Sequence, residues 1–239
     1  MKLMLTEDYA ALSRAAADLF VTAVQAKPTA AIVVATGNSP VGMYRELAQR
    51  HQAGQLDLSQ ARIFQLDEYL GLAEDDPRLF YRWMLGEFNT PLGIRPEQVV
   101  RFHSSTPDPV ADCQAYAQAV AAVGGFDLSI LGIGPNGHLA MNEPPGDPNI
   151  SAHVSTLAPE SIVSNSAYWG TRYTVPSQGL TVGLRELLAA RQTLLVASGV
   201  AKRAILRRAV EGPITPEVPA SYLQQATNVT VIADRAAWD

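Results

Sequence analysis

The chain has 239 residues, 47% of them hydrophobic and 17% charged, with a formal net charge of −5; that is enough for one large core, and it gives no electrostatic reason to expect nucleic acid or an anionic membrane as partner. A single cysteine, Cys113, excludes an intrachain disulfide framework and fits a reducing cytoplasm. No apolar run approaches the roughly 20 residues of a membrane span, and acids at Glu7 and Asp8 speak against a secretory leader.

In chain order, helical periodicity covers residues 9–25, a continuous β-branched run marks a buried strand at 30–35, and a helix follows at 41–53. A strand at 63–66 and helices at 79–88 and 110–123 come next; in the last, Cys113, Tyr116, Val120 and Val123 share core spacing, so Cys113 is read as packing rather than reactive. Strands are expected at 126–131, 193–197 and 229–233, with a helix at 201–211. Residues 144–176, rich in Pro, Ser, Asn and Gly, interrupt the pattern and read as a lid or an elaborated loop. The alternation predicts a single α/β domain over 1–239: a doubly wound, mainly parallel sheet with helices on both faces and a lid around 144–176. Ligands of such sheets bind outside the carboxyl ends of the strands, so the residues after each strand carry the functional signal.

After the first buried strand comes Thr36-Gly37-Asn38-Ser39-Pro40, where Gly37 permits close backbone approach and Asn38 and Ser39 are good helix N-cap types. Such a helix start can hold an anion, or it is an ordinary turn; it is neither a Walker loop nor GxGxxG. After the second strand, Asp67 and Glu68 lie among Leu66, Tyr69 and Leu70. Either one acid is desolvated into a base, or the pair caps a helix or sits in a solvated turn. The strand ending at Leu131 runs into GIGPNGHLAMNEP, in which His138 precedes Glu143 by five residues. A carboxylate beside an imidazole fixes its tautomer and suits a proton shuttle. Ser198-Gly199-Val200-Ala201-Lys202 opens the next helix; Lys202 can add a charge to a helix-bound phosphate, although alone it reads as a surface lysine. His51, His103, His138 and His153 lack metal-ligand spacing, and there is no GxSxG elbow, so neither metal nor cofactor is expected.

Together ATGNSPVGMYREL, FQLDEYLGL, LGIGPNGHLAMNEP, LTVGLRELL and SGVAKRAIL resemble the glucosamine-6-phosphate deaminase/isomerase family, in its order and over almost the whole chain. The resemblance implies a cofactor-free deaminating hydrolase or isomerase of amino-sugar metabolism. Such an enzyme opens the pyranose ring of glucosamine 6-phosphate and converts the aldose to fructose 6-phosphate with release of ammonia. It implies that Asp67 moves the proton between C2 and C1, that His138 assists ring opening with Glu143 behind it, and that Asn136, Asp in some members, orients the imidazole. Thr36, Gly37, Asn38, Ser39, Gly137 and Lys202 would bind the sugar phosphate. The related 6-phosphogluconolactonases share the GxGxxGH theme but fit less well, because Asn142-Glu143-Pro144 and the complete LDEYLGL segment are present.

The sequence departs from the family in the lid. Residues 151–170, SAHVSTLAPESIVSNSAYWG, contain no Arg, and Ala167 stands where a phosphate-binding Arg is expected; Arg172 is the nearest substitute. Leu79 and Met141 are also more apolar than the family's usual Ser and Phe. The substrate is therefore left open between glucosamine 6-phosphate, another sugar or sugar phosphate, and a ligand sensed without turnover. Oligomeric state is left open too.

Overall fold

The computed structural model describes residues 1–239, with the side chain of Thr171 excepted. Its strands are β1 (Lys2–Thr6), β2 (Ala31–Val34), β3 (Arg62–Gln65), β4 (Asp67–Tyr69), β5 (Val99–Val100), β6 (Leu128–Leu131), β7 (His153–Thr156), β8 (Gln178–Thr181), β9 (Thr193–Ala197) and β10 (Val229–Asp234). Its α-helices are α1 (Tyr9–Ala26), α2 (Asn38–Gln52), α3 (Phe80–Met84), α4 (Pro109–Ala122), α5 (Pro159–Trp169), α6 (Leu184–Leu188), α7 (Arg203–Glu211) and α8 (Arg235–Trp238).

Seven strands form one sheet in the order β1-β10-β9-β6-β2-β3-β5, and every pairing in it is parallel. The strands β2, β6 and β9 are buried along their whole length, which explains their unbroken apolar character. Alternate residues feed two cores. Ile32, Val34, Ile63, Ile130 and Val196 pack with Leu12 and Phe20 of α1 and Met43 and Leu47 of α2. Val33, Phe64, Leu131, Leu195 and Val231 pack with Cys113, Tyr116 and Val120 of α4 and Ile205 and Leu206 of α7. Helices therefore cover both faces, as the period-2 alternation of a two-sided sheet requires. Asp8, Asp108 and Asp234 cap α1, α4 and α8 by accepting from the backbone N–H three residues on.

From β2 the chain winds outward through β3 to β5, then crosses back to β6 on the other side of β2 and winds the opposite way through β9 and β10. The carboxyl ends of β2 and β6 thus bound the point where winding reverses, the place where the following loops separate and leave a crevice.

A second, antiparallel sheet, β4-β8-β7, was not foreseen from the sequence. It borders a third apolar cluster of Tyr69, Leu72, Leu79, Phe80, Met141 and Leu157, against which Ile162, Trp169 and Val175 pack. Residues 144–176 accordingly are not irregular throughout: β7 and α5 lie within them, because Ile162 and Trp169 of α5 have an apolar surface to cover. Other expected boundaries shift as well. The helix at 79–88 is α3 followed by a π-helical turn, Leu85–Asn89, and α7 is preceded by a 3₁₀ turn, Val200–Lys202. No helix among the described residues is long and apolar enough to cross a membrane.

Glu68 joins the two sheets to α3. Its side chain is buried and accepts from Gln65 Nε2, from the Tyr69 N–H and from the Phe80 and Tyr81 N–H groups, each at 2.9 Å. Replacing Glu68 with Ala strands those donors in an apolar setting, and breaking a buried charged network of this kind costs on the order of 3 kcal/mol. Urea unfolding is expected to show that loss for Glu68→Ala, with Glu68→Gln losing less because it retains one acceptor oxygen.

Candidate active site

Four loops reach the crevice. The first follows β2, where Gly37 has φ 100°, a conformation that glycine alone adopts without strain, and serves as the cap of α2. Neither Asn38 nor Ser39 acts as the side-chain cap expected of it: both lie inside the helix, and the cap position carries no side-chain hydrogen bond. The backbone N–H groups of this first turn are left to an external acceptor. The outer wall of this turn borders a cavity of about 390 Å³ that Asn38 and Ser39 share with Ser198, Tyr9, Arg45 and Trp83.

The second loop carries β4. Successive side chains of a strand point to opposite sides, and this separates the two acids. Glu68 turns to its four donors, so the capping interpretation holds for Glu68 alone. Asp67 is 6% exposed, and its Oδ1 has no hydrogen-bond partner among the described residues. Burial, aided by the neighbouring charge of Glu68, pushes the Asp67 carboxyl up to about 7.

The third loop follows β6. His138 Nδ1 lies 3.2 Å from Glu143 Oε2, and both side chains are largely buried. Asn136 Nδ2 donates to the same Glu143 oxygen at 2.7 Å, while Asn136 Oδ1 accepts from the His138 N–H at 3.2 Å. A carboxylate only accepts, so the contact assigns the proton to Nδ1 and leaves Nε2 unprotonated when the ring is neutral. Burial alone would raise the Glu143 carboxyl, but His138, Ser161 and Asn136 outweigh it and hold it at about 2. Two glycines make room: a Cβ at Gly134 would stand 2.2 Å from His138 Nε2, and one at Gly137, where φ is 90°, would stand 2.7 Å from Val218 Cγ1. Asn142 pins the loop by donating to the carbonyls of Leu139 and Val182 at 2.8 and 2.9 Å.

The fourth loop follows β9. Lys202 is half-buried and its Nζ donates to the Ile133 carbonyl at 2.6 Å, which ties it to the start of the His138 loop. Burial pushes its ammonium down from the usual lysine range.

The helix α5, which the sequence pattern does not mark, lies across this crevice. Ser161 is buried, with Oγ 3.2 Å from His138 Nδ1, and Glu160 accepts from Asn136 at 3.2 Å. At the other end, the Tyr168 hydroxyl lies against Gly37. Nothing in PESIVSNSAYW marks these contacts, because they depend on how α5 docks. Arg172 is exposed, with its guanidinium 5.5 Å from the Tyr173 ring centroid. Among the described residues no hydrogen bond or ion pair ties it to the Gly37 turn.

Residues 6–232 match the family model described as glucosamine-6-phosphate isomerases/6-phosphogluconolactonase. The chain belongs to that family. It is 37% identical over 237 residues to a protein of Halothermothrix orenii named glucosamine-6-phosphate deaminase, with 99% of this chain and 98% of the relative covered. A protein of Alkaliphilus metalliredigens bearing the same name is 34% identical over the same shares. Among solved structures, a monomeric glucosamine-6-phosphate deaminase superposes with a TM-score of 0.96 at 35% identity, covering 99% of this chain and 98% of its own. The 6-phosphogluconolactonase of Trypanosoma brucei, at 18% identity, 99% and 97% coverage and a TM-score of 0.78, shares the fold.

The raised Asp67 carboxyl has a consequence for stability in this family member. Between about pH 4 and 7 the folded chain keeps a proton on Asp67 that the unfolded chain has released, so stability falls as pH rises through that window. Asp67→Asn, which cannot ionise, is expected to remove this loss. Urea titrations at pH 4.5 and 8 should show the variant gaining more than about 1 kcal/mol relative to the parent at the higher pH.

Proposed function

We propose that this chain is a glucosamine-6-phosphate deaminase, converting glucosamine 6-phosphate and water to fructose 6-phosphate and ammonia in the cytoplasm. The observation that carries the reading is the buried, unpartnered Asp67 carboxyl, poised near neutrality at the mouth of a parallel sheet, in a chain whose full-length relatives bear that name.

The substrate phosphate would sit on the uncapped first turn of α2, at Thr36–Ser39, with the Lys202 ammonium adding positive charge and Gly137 giving the sugar close access to the backbone. His138, held by Glu143, Asn136 and Ser161, would take the proton of the anomeric hydroxyl and return one to the ring oxygen, opening the ring. Asp67 would then remove the C2 proton, pass through an enolamine, and deliver the proton to C1. C2 is oxidised as C1 is reduced, so no external electron carrier enters the balance. Water adds to the resulting C2 imine and ammonia leaves, so the net reaction is a hydrolysis of the C–N bond. Residues 144–176, through α5, would act as the lid that keeps bulk water from the enolamine.

Ammonia release from glucosamine 6-phosphate, galactosamine 6-phosphate and free glucosamine tests this reading directly. Release from the first is expected to dominate, with Asp67→Asn lowering kcat at least about a thousandfold while substrate still binds. Binding without release from any of the three would make the chain a sugar-phosphate sensor and sink the proposal. Because the base works ionised, kcat/KM is expected to rise with pH through about 7, the range in which Asp67 loses its proton. Gly134→Ala, whose new methyl needs the space of the His138 ring, should lower kcat by about a hundredfold, within the range for a displaced general acid–base. Unchanged turnover in that variant would count against His138 as the ring-opening group.

A further inference from the structure

The last turn of α5 brings a polar atom to the start of α2. Between Pro159 and Gly170 the sequence holds a single acid, Glu160, and no Lys or Arg, and Ala167 offers only a methyl group. Tyr168 follows it. Its residue surface is 45% exposed, yet its hydroxyl end is drawn inward: a Cβ built on Gly37 would lie 3.3 Å from that oxygen. Burial, with the Asp67 charge adding to it, raises the phenol, so at neutral pH the group keeps its proton. A tyrosine hydroxyl can accept and donate at once. Beside Gly37 its O–H proton can be turned toward an oxygen held over the same helix turn. The charge of Asp67 acts on the same phenol.

We propose that Tyr168 is a substrate-binding residue that donates its hydroxyl hydrogen to the phosphate ester over the first turn of α2, a neutral donor in the place where the family resemblance predicts a guanidinium. This rests on the functional reading above and assigns the phosphate contact of the covering helix to Tyr168 rather than to Arg172, which is exposed beside Tyr173. A hydroxyl carries no net charge, so the grip it gives is directional and depends little on ionic strength, unlike that of a guanidinium.

Tyr168→Phe removes one oxygen and keeps the ring that covers the crevice. KM for glucosamine 6-phosphate is expected to rise about tenfold, the lower end of what a hydrogen bond to a charged group contributes, with kcat changed by less than about threefold. Inorganic phosphate, used as a competitive inhibitor, should weaken by a similar factor, and the thermal midpoint should stay within about 2 °C. Arg172→Ala should leave KM and phosphate inhibition at parental values. Equal phosphate inhibition of parent and Tyr168→Phe overturns the proposal, as does a large rise in KM for Arg172→Ala alone. If the parent releases no ammonia from any sugar, the functional reading fails by itself. Calorimetric titration with inorganic phosphate then decides the Tyr168 contact: tighter binding to the parent than to Tyr168→Phe supports it, and equal binding overturns it.

Discussion

Moving a carboxylate out of water costs several kcal/mol unless hydrogen bonds replace its hydration, and β4 buries two of them side by side. The pleat of the strand resolves the conflict by sending them to opposite sides. Glu68 meets four N–H donors and becomes the joint between β3, β4 and the first turn of α3. Asp67 meets none at Oδ1, and its carboxyl rises to about 7. The structural acid and the candidate base are therefore one device: the donors that Glu68 collects are the reason Asp67 can be held in place with an oxygen left bare.

The parallel sheet supplies the place for that bare oxygen. Winding reverses between β2 and β6, so the loops that follow them part, and the β4 and β9 loops close the sides of the gap. Three of the four loops are fixed by hydrogen bonds within the protein. Asn142 fastens the His138 loop to Leu139 and Val182, Lys202 fastens the β9 loop to Ile133, and Glu68 fastens β4. A crevice lined by such restrained loops holds its groups in position before any ligand arrives, which lowers the reorganisation demanded at the reacting step.

Positive potential is scarce here. The chain carries a net charge of −5, and Asp67, Glu143 and Glu160 all lie near the crevice. In the proposed reading an anionic substrate relies on the N–H groups of α2, on Lys202 and on the Tyr168 hydroxyl. In that reading the proton-handling groups sit on segments at the sheet, while α5 carries no Lys or Arg. Proton handling and phosphate grip would thus rest on different parts of this chain, the second partly on a helix that docks by apolar contacts of Ile162 and Trp169.

Much of this was legible in the residues themselves. Short unbroken apolar runs such as AIVV and TLLVA suit a strand buried on both faces of a sheet, and the spacing of His138 and Glu143 around a glycine-rich turn keeps both within one short loop. Two acids among Leu66, Tyr69 and Leu70 mark the Asp67-Glu68 pair, while the choice of Asp67 as the base comes only from the family resemblance. What the linear pattern did not contain was the partition of roles between Asp67 and Glu68, since the choice was made by donors at Phe80 and Tyr81, more than ten residues away. It also did not contain the β4-β8-β7 sheet, the docking of α5, or the approach of Ser161 and Tyr168 to the crevice. Those contacts join segments with no mutual sequence periodicity, and they exist only because an apolar cluster around Tyr69 and Phe80 gives α5 a surface to cover. Local propensity determines which residues can form an element; the face that each element buries, and hence the groups it brings together, is decided by the rest of the chain.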